Sequence, residues 1–186
     1  ETRGVLMMLD RVHIVNDDLN AFAKVPSVIG RKARMKYLKV GYSTFLDDAN
    51  FFTTARGNLI ENTAFDISGL TTVVQKFMKI KDMDGDPVDT MPRYLALPSA
   101  YAVEGDKLYK DTNVMVWDRD AAGALTNERT TGNPHVNKYQ PFATSWLDAD
   151  SSAPGGSDDS WYLTGDDPDM KPLQRCFLNG VSTPTI

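Results

Sequence analysis

Cysteine is all but missing from this 186-residue chain. Cys176 stands alone, so no internal disulfide framework can form and no cysteine zinc cluster can be built. Histidine is almost as scarce, with only His13 and His135, which leaves few side chains suited to proton transfer near neutral pH. No Gly-x-Ser-x-Gly elbow, phosphate-cradling glycine loop, His-x-x-x-His pair or Cys-x-x-Cys pair occurs, so the common hydrolytic, nucleotide-dependent and zinc-dependent chemistries have no visible carrier. No apolar run approaches the roughly 20 residues that a membrane-spanning helix needs. The opening "ETRGVLMMLDRVHIVND" has neither a basic leader nor a cleavage signal, so it is not read as a signal peptide. Both ends read like the middle of a protein, and the chain is expected to be a piece of a longer one. No segment repeats, and no low-complexity tract stands out.

What is present describes a globular domain. Hydrophobic residues make up 41% and charged residues 24%, enough for one good core, possibly in two lobes. The 20 cations against 25 anions give a net charge of -5, which supplies no general reason to expect nucleic-acid binding. Residues 5–15 are apolar and partly β-branched, suiting a buried strand. His13 lies within it and reads as a core or surface residue. Asn16, Asp17 and Asp18 offer a turn or helix caps. From about Pro26 to Leu46 the spacing predicts a helix with Met35, Leu38, Tyr42 and Phe45 on one apolar face. Arg31, Lys32, Arg34, Lys36 and Lys39 crowd its other faces, the pattern of a solvated basic surface. Gly41 inside that helix predicts close packing or a bend.

Further along, Ser68 is positioned to cap a second helix whose stripe is Leu70, Val73, Val74, Phe77 and Met78. "RYLALP" reads as a short buried strand, and the segment from Ser99 as a short helix capped by that serine. Residues 110–134 suggest a surface loop or a hairpin with extended arms, and His135 falls in a loop. Seven aspartates and no lysine or arginine between positions 148 and 169 predict a flexible acidic loop, interrupted by a buried strand at 161–163. A last strand is expected at 174–178, followed by an Asn179-Gly180 hairpin turn.

One stretch imitates a metal site. In "KDMDGDPVDTMPRYLALP", Asp82, Asp84, Asp86 and Asp89 are spaced two or three apart. A calcium loop needs oxygen ligands at positions 1, 3 and 5, glycine at 6 and a bidentate glutamate at 12. Counted from Asp82, glycine falls at position 4, proline at 6 and Arg93 at 12, so the register fails. Asp-Gly is a strong turn dipeptide and Pro87 stops a helix, so the stretch reads as a helix-to-strand connection. No residue is assigned a catalytic, cofactor-binding or metal-binding role, and the residues alone indicate an α+β domain without a visible active site.

Several runs taken together resemble a known family. They are "FFTTARGNL" at 51–59, the capped helix from Ser68, and "DMDGDPVDTMPRYLALPSA". To these add "NDDLNAF" at 16–22, "KDTNV" at 110–114, "NPHVNKY" at 133–139 and "WYLTGDDPDMKPLQRCFLNGVSTPTI" at 161–186. In order and spacing this set is similar to major capsid proteins of tailed phages, closest to the Mu-like head-subunit and ClpP-like prohead-protease/major-capsid-protein fusion group. Thr53 and Arg56 depart from relatives that carry histidine there. The resemblance implies a Hong Kong 97-type fold, truncated at both ends. Residues 1–64 would hold part of a peripheral domain with its spine helix at 26–46, residues 65–172 an axial domain, and 173–186 the return to the periphery. In the axial lobe, the second helix and the "RYLALP" and "WYL" strands would form the core.

By the same resemblance the chain would be a non-enzymatic shell subunit of a phage or prophage virion, assembled in the bacterial host cytoplasm. It would partner itself in hexamers and pentamers, with a scaffold or prohead protease during assembly, and touch packaged DNA non-specifically. It would need no membrane and no cofactor. The serine protease fused in some relatives would lie upstream, so its activity is not carried over. Two alternatives stand beside this reading: an encapsulin-like nanocompartment shell, and a calcium-binding module or enzyme using the aspartate-rich loops.

Overall fold

A computed structural model of the chain describes residues 21–82, 84–119 and 125–165. The strand expected at 5–15 with His13, the turn at 16–18, and the last strand and hairpin turn at 174–180 lie outside the described residues. Those that are described divide between two compact units, with 21–41 in one and 42–165 in the other.

Helix α1 runs Ala21–Leu46 and encloses Pro26, so it begins earlier than Pro26, where the sequence had placed its start. Proline lacks the N–H that would bond the carbonyl four residues back, and the helix bears that local loss. Beside it the Ser27 hydroxyl donates to the Lys24 carbonyl at 2.9 Å. Gly41 is not a packing point: no atom lies within 4 Å of where a Cβ would stand. Met35 is 50% exposed, while Leu38, Tyr42 and Phe45 are half-buried, so the expected apolar stripe starts at Leu38. Within the larger unit, the last turn of α1 enters an aromatic cluster. Tyr42 stacks on Trp146 at 6.0 Å, and Phe45 meets Phe51, Phe52 and Tyr162 at 6.0 to 6.3 Å. Asn58 closes the loop that presents the two phenylalanines, accepting from the Thr53 N–H and donating to the Phe51 carbonyl.

Helix α2 runs Ile67–Met78, and its cap is Asp66 rather than Ser68: the Asp66 carboxylate accepts from the Gly69 N–H at 2.6 Å. Asp66 has the extended backbone a cap requires, and its charge also suits the positive end of the helix dipole. Leu70 and Val74 are buried, whereas Met78 at the end of the stripe is 45% exposed.

Strand β1 (Pro92–Leu97) is the centre of a three-stranded sheet. It pairs in parallel with β4 (Gln140–Ala143) and antiparallel with β5 (Tyr162–Gly165). Because strand side chains alternate, Leu95 and Leu97 share one face. That face forms a core with Leu70, Val74 and Tyr139, flanked by Phe65, Tyr101, Trp161 and Leu163. The second helix and the "RYLALP" and "WYL" segments therefore build one core, as the sequence suggests. On the opposite face Tyr162, paired with Ala96, meets the aromatic cluster through Phe45 and Phe52.

Between β1 and β4 the chain makes a 3-10 turn (Ser99–Tyr101) and then helix α3 (Ala102–Lys110). A Cβ on Gly105 would stand 2.2 Å from Leu97 Cδ1, so glycine lets α3 lie close on the sheet. Strands β2 (Asn113–Arg119) and β3 (Leu125–Gly132) follow as an antiparallel ribbon, a two-stranded sheet of their own.

Candidate functional site

The aspartate-rich stretch folds as the connection between α2 and β1. Asp82 Oδ1 accepts from the backbone N–H groups of Asp84 and Asp86, each at 2.9 Å. Lys81 bridges to Pro87, and Gly85 takes φ +91°. The carboxylate that would head a calcium loop instead holds the turn closed. Among the described residues no group of three or more His, Cys, Asp or Glu is gathered so as to hold a metal ion.

The acidic segment after Trp146 differs most from its sequence reading. Across 148–161 it is a packed loop that leads into β5. Leu147, Asp148 and Ala153 are buried. The Ser157 N–H donates to the Leu147 carbonyl at 2.7 Å, and the Ala149 N–H donates to the Asp158 carboxylate. Gly155, at φ +83°, lies so close to Leu46 that a Cβ would be 2.3 Å from its carbonyl oxygen, which ties the loop to the end of α1. Asp148 reaches across the sequence to Ser99, accepting from its N–H and its hydroxyl, both at 2.7 Å. It therefore caps the helical run that starts at Ser99, where Ser99 had been expected to do the capping itself.

His135 is likewise part of the fold, at 6% exposure. Its Nε2 is 2.9 Å from the Thr71 hydroxyl on α2, and its ring packs on Tyr139 at 5.6 Å. Asn133 organises the approach to it. The Asn133 amide donates to the Leu108 and Asp111 carbonyls and accepts from the His135 N–H. Two carbonyls at the end of α3 are thereby satisfied, and the Asn137 N–H satisfies that of Tyr109. Burial pushes the His135 pKa below its ordinary value; the Ile67 carbonyl opposes this and the Lys138 charge adds to it. Neither Asp148 nor His135 was legible as a key residue: their partners are 49 and 64 positions away. Asn133, a side-chain acceptor two residues ahead of a buried N–H, had at least a local signal.

The surface offers different material. Lys24, Arg31, Lys32, Arg34 and Lys36 are exposed on α1 and Lys39 is half-buried; the helix contains no acidic residue. Large apolar side chains are exposed at Val28 and Met35 on α1, at Val103 on α3, at Met115 on the β2–β3 ribbon and at Phe142 on β4. Among the described residues no helix is long and apolar enough to cross a membrane.

Asp82, Asn133, His135 and Asp148, which look chemically able, are thus engaged in holding turns, helix ends and loop contacts. A family model described as "Phage capsid protein" matches residues 1–186, and the chain belongs to that family. No curated protein and no solved structure matches it. Membership implies a structural, non-enzymatic role and a place in the virion capsid, and it suggests that copies of the chain associate in a shell.

Proposed function

We propose that the chain is the major head subunit of a tailed phage or prophage. In this reading it has a Hong Kong 97-type fold, closes an icosahedral shell from hexamers and pentamers, and encloses DNA. The family match over 1–186 carries this reading. The ordered runs at 16–22, 51–59, 133–139 and 161–186 support the Mu-like and protease-fusion group within it. Helix α1 is the spine, the unit from Tyr42 onward contains the axial lobe, and the chain assembles in the bacterial cytoplasm with help from a scaffold or prohead protease. Shell cohesion comes from many modest contacts, so no single residue has to look chemically special. Electron microscopy of the purified protein, expressed alone and with its assembly partners, tests the reading. Closed shells or hexameric rings are expected; a small monodisperse particle under every condition refutes it.

The cation-only α1 supports contact with the packaged genome. Lysine and arginine on such a face neutralise phosphates and release counterions, which makes the contact sequence-independent and salt-sensitive. Replacing Arg31, Arg34 and Lys39 by glutamine should lower the salt concentration at which filled particles lose DNA, measured by nuclease sensitivity. Unchanged retention excludes the helix from genome contact.

A further inference from the structure

The His135 site has a property that its structural role does not use. The Thr71 hydroxyl has one proton, and it donates this to the Ile67 carbonyl at 2.7 Å. Toward the imidazole the oxygen can therefore only accept, so Nε2 carries the ring proton and donates to Thr71. The other tautomer would bury an N–H at Nδ1 with no acceptor, a rarer and costlier state than a bare lone pair. Nδ1 is buried with no hydrogen-bond partner. The ring is thus held neutral with an empty basic atom in the interior, against Tyr139, which is itself part of the core.

We propose that residues 133–139 form a proton-operated latch on α2. With the imidazole neutral the loop is closed through Thr71. A proton arriving at Nδ1 creates a charged N–H with no acceptor in a packed core, and the loop opens to let water solvate it. Opening takes Asn133 with it, and so frees the Leu108 and Asp111 carbonyls at the end of α3. Only the Ile67 carbonyl favours the charged ring, and burial outweighs it. From α2 the ring meets the Thr71 hydroxyl and the Ile67 carbonyl; from its own loop it meets the Lys138 cation and the Tyr139 phenol, whose pKa burial raises. From α3 it meets, through Asn133, only backbone carbonyls.

The sign follows from linkage. The closed loop holds the His135 pKa below the ordinary 6.5, while the open loop restores it. Above 6.5 neither state takes the proton and the latch is fully closed. As pH falls below 6.5 the open state alone binds a proton, so the open fraction rises, up to about tenfold per pH unit until the closed-state value is reached.

Hydrogen exchange of the whole chain at pH 7.5 and pH 5, corrected for intrinsic rates, reads the latch directly. Peptides covering 67–75 and 133–139 should lose protection at pH 5, by up to about thirtyfold, while those covering the aromatic cluster at 42–52 keep theirs. His135→Gln retains a side-chain N–H and cannot titrate, so its protection should be the same at both values. Imidazole 15N shifts of the unaltered chain provide a second measurement that does not depend on any variant folding. They should show the Nε2–H tautomer, neutral below pH 6.5. A ring titrating at or above 6.5, an Nδ1–H tautomer, or the same loss of protection in His135→Gln each overturns the latch. None of these outcomes bears on whether the chain forms shells.

Discussion

Removing the Asp148 carboxylate should be among the more damaging single changes in the larger unit, although the residue lies in a stretch that reads as a solvent-facing acidic loop. In Asp148→Ala, the Ser99 N–H at the start of the helical run loses its acceptor, a loss of the N-cap kind that costs about 1 kcal/mol. The bond from the Ser99 hydroxyl to a charged partner is worth roughly 1.5–3 kcal/mol where water is excluded. Ser99 is exposed, so water recovers part of it and the lower end applies. Together the loss is about 2–3 kcal/mol, which for a chain of this size lowers Tm by about 5–10 °C. Asp148→Asn keeps an acceptor for the Ser99 N–H and forfeits mainly the charge–dipole attraction, about 0.3–1 kcal/mol. Ser99→Ala should fall between the two, and a double-mutant cycle should return a coupling of about 1 kcal/mol. Urea titration of the dissociated subunit measures all three. The reasoning fails if Asp148→Ala stays within about 0.5 kcal/mol of the parent, the range of an ordinary surface change. It fails equally if Ser99→Ala proves the more damaging.

Two helical glycines should respond to alanine with opposite signs. At Gly41 a Cβ meets nothing within 4 Å, so alanine should stabilise by up to about 1 kcal/mol through helix propensity. At Gly69 the Cβ would stand 2.0 Å from the Ala64 carbonyl oxygen; that neighbour is backbone, and overpacking of about 1–3 kcal/mol should exceed the propensity gain. Equal shifts in a thermal melt would contradict the packing described here. Asp82→Ala should destabilise by about 1 kcal/mol, because two backbone N–H groups lose a shared acceptor. Calcium titrated into the parent chain should give neither heat nor a rise in Tm, and a stabilising response that vanished in Asp82→Ala would restore the calcium reading.

Local physics was legible where it was strong. Leu70 and Val74 at helical spacing, the alternation in "RYLALP" and the failed register at Asp82 identified their elements correctly, while the aromatic "WYL" announced a strand that runs Tyr162–Gly165 and is half-buried rather than buried. Boundaries were less legible because competing local signals are of similar size. Asp66 and Ser68 can both cap a helix, and only the extended backbone at Asp66 decides between them. Pro26 reads as a start signal, yet α1 continues through it to Ala21. Long-range pairings left no trace at all. Asp148 sits among exposed aspartates such as Asp150, and nothing within ten residues distinguishes it from them. The difference is made by Ser99, brought next to it because β1 and the 144–158 loop share one end of the sheet, where the Thr144 N–H donates to the Leu97 carbonyl at 3.0 Å.

The same contrast between local and distributed effects explains why the proposed function has no site. An active site concentrates its free energy in a few perturbed groups, and these leave marks in a sequence. A shell subunit has to solve a different problem: each contact must be weak enough to form reversibly during assembly, and the sum over neighbours must be large. Such a chain keeps its polar specificity inside, as Asp148 and Asn133 do here, where a misplaced partner costs most. Its outer surface can then carry apolar side chains that a lone monomer has little reason to expose. Val103 at 66%, Met115 at 63%, Met35 at 50% and Phe142 at 42% are of this kind, spread over two helices, a ribbon and a sheet edge. Under the proposed assembly, no single truncation among the four should abolish shells. Paired truncations on different elements should lower the yield of closed particles more than either alone, because each removes a separate modest contact from a sum repeated in every copy.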